Sequence, residues 1–218
     1  MAHVDTSALT AFANIYVLDT PDKIQAASTS YRGGGFRHVR WIPGGRGLIY
    51  LTLLKLPSPV ADRVVCLWWT WRREDDGAFV VAFEGIDSPR FADFDTTGEL
   101  RKEVDSLIDN DSAARRAVRG ESKGFWRIEP RGDKNCEITY VLQGRLNGNV
   151  PKYVVDSRVH LQLRRGCWEI QEKYEREPTI IDEEMRSLWA RKGVTKLEAL
   201  SSEQVRAPHD CPLVPTRV

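Results

Sequence analysis

Residues able to do chemistry are sparse in this chain and do not gather. Four cysteines stand at 66, 136, 167 and 211, and four histidines at 3, 38, 160 and 209. No two cysteines have the CxxC spacing of a structural metal or redox pair, and the histidines are scattered. Glu74, Asp75 and Asp76 read as a solvated turn rather than a paired acid and base. The glycine-rich stretches RGGGF (32–36) and IPGGRG (42–47) lack the GxGxxG or GxxxxGK spacing of a phosphate cradle, and hairpin turns are expected there. Acid–base or covalent catalysis needs a nucleophile, a base and a stabilising donor that converge. Nothing local supplies them, so no catalytic residue, metal ligand or cofactor is expected.

Composition narrows the classes further. The 218 residues suit one large domain, or one with appendages. Hydrophobic residues make up 41% and charged residues 29%, as in ordinary soluble globular proteins. A net charge of +1 lacks the basic footprint that a phosphate backbone requires, so no nucleic-acid partner is expected. The longest apolar run, at 64–69, is far too short to span a bilayer. The first ten residues, MAHVDTSALT, show no charged region leading into an apolar core, so no secretory signal is read there. Three cysteines lie in apolar elements, where free Cys packs as a small hydrophobe. An intracellular, cytoplasmic and reducing setting is expected.

The elements that would position a site follow from periodicity. A strand is expected at 12–18, and DTPDKIQAA (19–27) then suits a short capped helix with Pro21 in its first turn. Strands at 47–56, 63–71 and 78–85 follow as an antiparallel meander, the last two joined through Asp76-Gly77. From 95 to 119 the chain is charged, and Leu100, Val104, Leu107 and Ile108 make one apolar helix face. Strands at 125–129 and 136–143 form a second hairpin, with Cys136, Ile138, Tyr140 and Leu142 on one face.

One long helix is expected at 151–176, with Pro151 in its first turn. Val155, Val159, Leu163, Ile170 and Tyr174 fall within a stripe of about 100°. Gly166 lies inside that stripe, where glycine costs about 1 kcal/mol relative to alanine. Close packing and admission of a ligand explain it equally well. Trp168 lies on the opposite face, to be covered either by a short helix around Met185, Leu188 and Trp189 or by a membrane surface. His160 falls on the polar side of the helix.

Two blocks resemble the START family of lipid-transfer domains, within the helix-grip (Bet v 1-like) superfamily. In residues 54–88 a Pro-containing turn and Arg63 lead into a tryptophan-bearing strand, an Asp-Gly hairpin and a second strand. In residues 125–155 the matching positions are Ile128, Pro130, Cys136, Thr139, Tyr140, Gln143, Gly148 and Pro151. Together the resemblance covers roughly residues 10–176. These are structural signatures rather than catalytic ones. The chain departs from the family in its shorter N-terminal portion, in Arg145 where an acid is usual, and in the order Asp62-Arg63.

The resemblance implies an α+β fold in which a curved antiparallel sheet grips the long C-terminal helix. It implies a START-like domain over 1–176; after it, the residues at 177–196 read as a further helix and those at 197–218 as a polar tail or linker. It also implies a non-enzymatic module that binds a lipid or sterol for transfer or sensing, although the superfamily includes cyclases and hydrolases. From facing directions, the walls of the cavity are expected to be Trp69, Trp71, Ile138, Tyr140, Val159, Leu163, Gly166 and Ile170. Both faces of the tryptophan strand are apolar, so Trp69 and Trp71 are preferred over Trp68 by a narrow margin. Arg115, Arg116, Arg119 and Lys123 could meet acidic headgroups in a transient membrane contact, or simply be solvated. The competing reading is an interaction or regulatory domain of a larger protein, its core filled by its own side chains.

Overall fold

A computed structural model describes residues 1–19, 36–42 and 47–176, with the backbone alone for 157–165, 169 and 176. In chain order the elements are β1 (Ala2–Val4), α1 (Ala8–Tyr16), β2 (Arg37–Ile42), β3 (Gly47–Leu54), β4 (Arg63–Arg73) and β5 (Phe79–Gly85). Then come α2 (Pro89–Phe94), α3 (Glu99–Asn110), α4 (Ser112–Arg116), β6 (Val118–Pro130), β7 (Cys136–Arg145) and α5 (Lys152–Arg176). Among the described residues the strands form one seven-stranded sheet in the order β1-β7-β6-β5-β4-β3-β2. Neighbours are antiparallel throughout. Past the end of β5, Val118, Arg119 and Gly120 of β6 pair in parallel with Arg63, Val64 and Val65 of β4.

Helices cover both faces of this α+β sheet, and two apolar cores result. The inner face carries Leu48, Val65, Leu67, Trp69, Phe79, Val81, Phe83, Trp126, Ile128 and Ile138, packed with α1 and with Tyr174 of α5. The outer face carries Ile49, Leu51, Leu53, Val64 and Cys66 against Phe91, Val104, Ile108 and Ala114 of α2 to α4. This double coverage is why β4 lacks a polar face: Trp68 stacks on Phe94 at 4.7 Å outside, and Trp69 stacks on Phe83 at 5.1 Å inside.

Two expectations from the sequence need correction. Where apolar residues at 12–18 predict a strand, the chain forms helix α1, capped by the Ser7 hydroxyl accepting from the Thr10 amide. Ala8, Ala11, Phe12, Ala13, Asn14, Ile15 and Tyr16 are all buried, so no polar face reveals the helical period. The single helix expected at 95–119 is broken into α3 and α4, and the strand that follows begins at Val118 rather than 125. Asp111 makes the break: it ends α3 and caps α4, its Oδ1 accepting from the amides of Ala113 and Ala114 at 2.9 and 2.8 Å. A side chain that satisfies two otherwise orphaned amides starts a helix anew.

The helix expected at 151–176 is α5. The turn that feeds it places Asn147 at φ 49° and Gly148 at φ 66°. That left-handed region disfavours residues with a β-carbon. Arg63 fixes the same turn from the first position of β4. Its side chain is 1% exposed and donates to the carbonyls of Leu146 and Asn147, the latter at 2.7 Å, and to those of Ala61 and Asp62. Desolvation pulls its pKa below the ordinary value, opposed by the Asp62 carboxylate. The proposed segments 177–196 and 197–218, and the short helix expected within 19–27 beyond residue 19, lie outside the described residues.

Candidate functional site

Cross-strand register lines up the inner face in rows. Leu48, Trp69, Phe83, Gly124 and Leu142 form one row across β3 to β7. Trp71, Val81, Trp126 and Tyr140 form the next, and Phe79, Ile128 and Ile138 the third. At the middle of this face Trp126 and Tyr140 stack with ring centroids 3.8 Å apart and planes 9° from parallel. Phe83 lies 6.3 Å from Tyr140 and stacks on Trp69, which meets the edge of Tyr50 at 6.2 Å. A continuous aromatic floor results.

Helix α5 crosses that floor at Gly166. A β-carbon there would sit 2.7 Å from Cη2 of Trp126 and 3.0 Å from Cδ1 of Tyr140. Of the two explanations for this glycine, close approach of the helix to the sheet is the one the geometry displays. Cys167 and Ile170 pack against the inner core from the same helix. At the other end, α1 supplies the cover: Phe12 stacks on Phe79 at 4.7 Å and leans on Trp71 at 5.0 Å. Helices α1 and α5 are joined where Asn14 Nδ2 donates to the Tyr174 hydroxyl at 3.2 Å.

The eight residues expected to form walls therefore separate into groups. Trp69, Tyr140, Gly166 and Ile170 gather around the aromatic floor. Trp71 faces inward too, but under Phe12, and Ile138 is fully buried in the row beneath α1. Val159 and Leu163 belong to α5, with side chains outside those described. The sequence reading omits Trp126, Phe83, Phe12 and Tyr16. Trp126 had a signal: two positions before Ile128, it shares the buried side of an alternating strand.

Polar atoms within this apolar region are few and several lack partners. Trp69 Nε1, Trp126 Nε1 and the Tyr16 hydroxyl are buried with no hydrogen-bond partner. Trp68 Nε1 is likewise unpaired on the outer face, beneath Phe91 and Phe94. Each such group costs about 1–3 kcal/mol when left unmade. Burial raises the pKa of Tyr16 and of Tyr140, with the Cys167 thiol adding to the second, so both phenols stay protonated. Burial also pushes the Cys66 and Cys136 thiols up to about 12.

Several charged side chains elsewhere are engaged with one another. Arg127 joins Glu74 at 3.1 Å, Asp76 at 2.6 Å and Glu129, so the acidic turn at 74–76 is an ion-pair partner rather than an acid–base site. Arg119 pairs with Asp87 at 3.3 Å and with Asp105. Among the described residues no three of His, Cys, Asp and Glu cluster as metal ligands, and no helix is long and apolar enough to cross a membrane.

This architecture is the START-like helix-grip fold. A STAR-related lipid transfer protein from Xanthomonas axonopodis superposes with a TM-score of 0.51 at 14% identity, covering 78% of this chain and 80% of that one. Human STARD10 gives a TM-score of 0.48 at 15% identity, covering 94% of this chain and 69% of that one. The human StAR-related lipid transfer protein 5 gives 0.49 at 15% identity, over 79% and 74%. No protein-family model matches the sequence, and no curated protein matches it closely. At these identities the likeness concerns the fold.

Proposed function

We propose that this chain binds a lipid or sterol between the sheet and α5, to carry or to sense it, without catalysing a reaction. The observation that supports this most is the aromatic floor of Trp69, Phe83, Trp126 and Tyr140, buried under a long helix yet holding unpaired donors. Ligand sites of this kind are mainly apolar with a few placed polar groups. The proposed lining is Trp69, Tyr140 and Ile170 with Trp126 and Phe83, joined by Val159 and Leu163 of α5, and bounded at Gly166, where helix and sheet touch. Trp71 and Ile138 close the far end beneath α1.

Titration with a fluorescent sterol and a fluorescent phospholipid tests this reading. Saturable uptake of either, at one ligand per chain, is expected. Absence of uptake for both would leave the filled-core interaction domain as the account of this fold.

A further inference from the structure

The inner face is short of acceptors, not donors. Trp69 and Trp126 are 8% and 7% exposed, and neither indole nitrogen has a partner. The Tyr16 hydroxyl, on a residue 2% exposed, is unpaired as well. An indole N–H donates and cannot accept, so whatever completes these groups must bring an acceptor.

Two arginines on this side bond to backbone carbonyls. Among the described residues the buried charged side chains are Arg63 and Asp95, and Asp95 accepts from the amides of Leu100 and Arg101. Arg63 spends its donors on four backbone carbonyls, and Arg37 Nη2 donates to the Leu18 carbonyl at 2.7 Å. An anionic headgroup calls for charge-assisted donors, and neutral indoles do not offer them. A charge placed beside aromatic rings would also lose its water without replacement.

We propose that the site takes an uncharged amphiphile whose polar end is a hydrogen-bond acceptor, a carbonyl or hydroxyl oxygen, held by the indole N–H groups of Trp126 and Trp69. This rests on the lipid-binding reading above and narrows its ligand. The apolar body of the ligand lies along the floor beneath α5, and its oxygen completes the donors that the protein leaves unmade.

Two matched probe pairs test it: cholestenone against cholestane, and diolein against dioleoyl phosphatidate. Within a pair the apolar body is shared and the polar end differs. At least one of cholestenone and diolein is expected to bind, about tenfold more tightly than its partner, the worth of a neutral hydrogen bond to an otherwise unpaired donor. The indole N–H resonances of Trp69 and Trp126 in 15N-labelled protein should move downfield with that probe and stay in place with cholestane. Trp126→Phe and Trp69→Phe each keep a ring while removing the donor, and each should shrink the preference. Equal binding within both pairs, or tighter binding of phosphatidate than of diolein, overturns the inference while leaving lipid binding intact. Failure of all four probes to bind overturns both.

Discussion

A β-carbon on Gly166 would lie 2.7 Å from Cη2 of Trp126, closer than side-chain carbons pack. The helix and the sheet are thus in contact through a missing side chain, and the Trp126–Tyr140 stack fills the space that side chain would take.

Gly166→Ala should therefore destabilise the protein despite alanine's better helix propensity. Overpacking costs about 1–3 kcal/mol, against about 1 kcal/mol gained from removing a helical glycine. A melting temperature lower by about 2–4 °C is expected for a chain of this size. Trimming the ring in the double variant Gly166→Ala/Trp126→Leu should recover part of the loss. Additive effects in that cycle would show that the two residues do not meet.

Arg63 offers a second test. Replacing it with Met removes the donors that satisfy the carbonyls of Leu146 and Asn147 at the entry to α5. Hydrogen bonds from a charged donor are worth about 1.5–3 kcal/mol each, and less where water can reach the carbonyl, as at half-buried Leu146 and exposed Asn147. Arg63→Met should lower stability by about 3 kcal/mol, and amide exchange should accelerate at 146–148 before it does elsewhere. Lysine cannot reproduce a planar fork of donors, so Arg63→Lys should rescue little. Wild-type stability in Arg63→Met would show that the turn needs no clamp.

Much of this arrangement could be read from the residues alone. The alternation of Cys136, Ile138, Tyr140 and Leu142 defines the inner face of β7, and the stripe through Ile170 and Tyr174 defines the face of α5 that meets it. Trp69 and Trp71 face inward, a direction that periodicity could not decide in a strand with helices on both sides. Helix α1 stayed hidden for a related reason: it is buried nearly all round, and a run such as AFANIYV shows no polar side. The parallel pairing that draws Val118 into β6 is a long-range contact between residues 63 and 118, and nothing local announces it. Alternation with Ile128 places Trp126 on the buried side, but its stack on Tyr140 comes from cross-strand register, which no local pattern shows.

The buried thiols make stability depend on alkaline pH. Cys66 and Cys136 have folded pKa values pushed up to about 12 from the ordinary 9.0. Below 9 the thiols are protonated in both states and their contribution is fully present. As pH rises from 9 toward 12 the unfolded thiols ionise while the folded ones do not, so stability falls. Thermal melts across that window should show a downward slope, shallower in Cys66→Ala/Cys136→Ala. An identical slope in the two proteins would assign the pH dependence to other groups.

Tyr174 ties α5 to α1 through Asn14 and the Thr10 carbonyl. Tyr174→Phe keeps the ring and removes the hydroxyl, and should cost about 1 kcal/mol. Exchange protection should fall in α1 and the last turns of α5 together. Loosening of either helix alone would show that the bond does not couple them.

Native mass spectrometry of the purified wild-type chain, bare and after incubation with sterols and phospholipids, tests lipid binding most directly. The account predicts a one-to-one adduct of lipid mass that survives gentle desolvation and is released on unfolding. The mass of the bare polypeptide under every condition would contradict it.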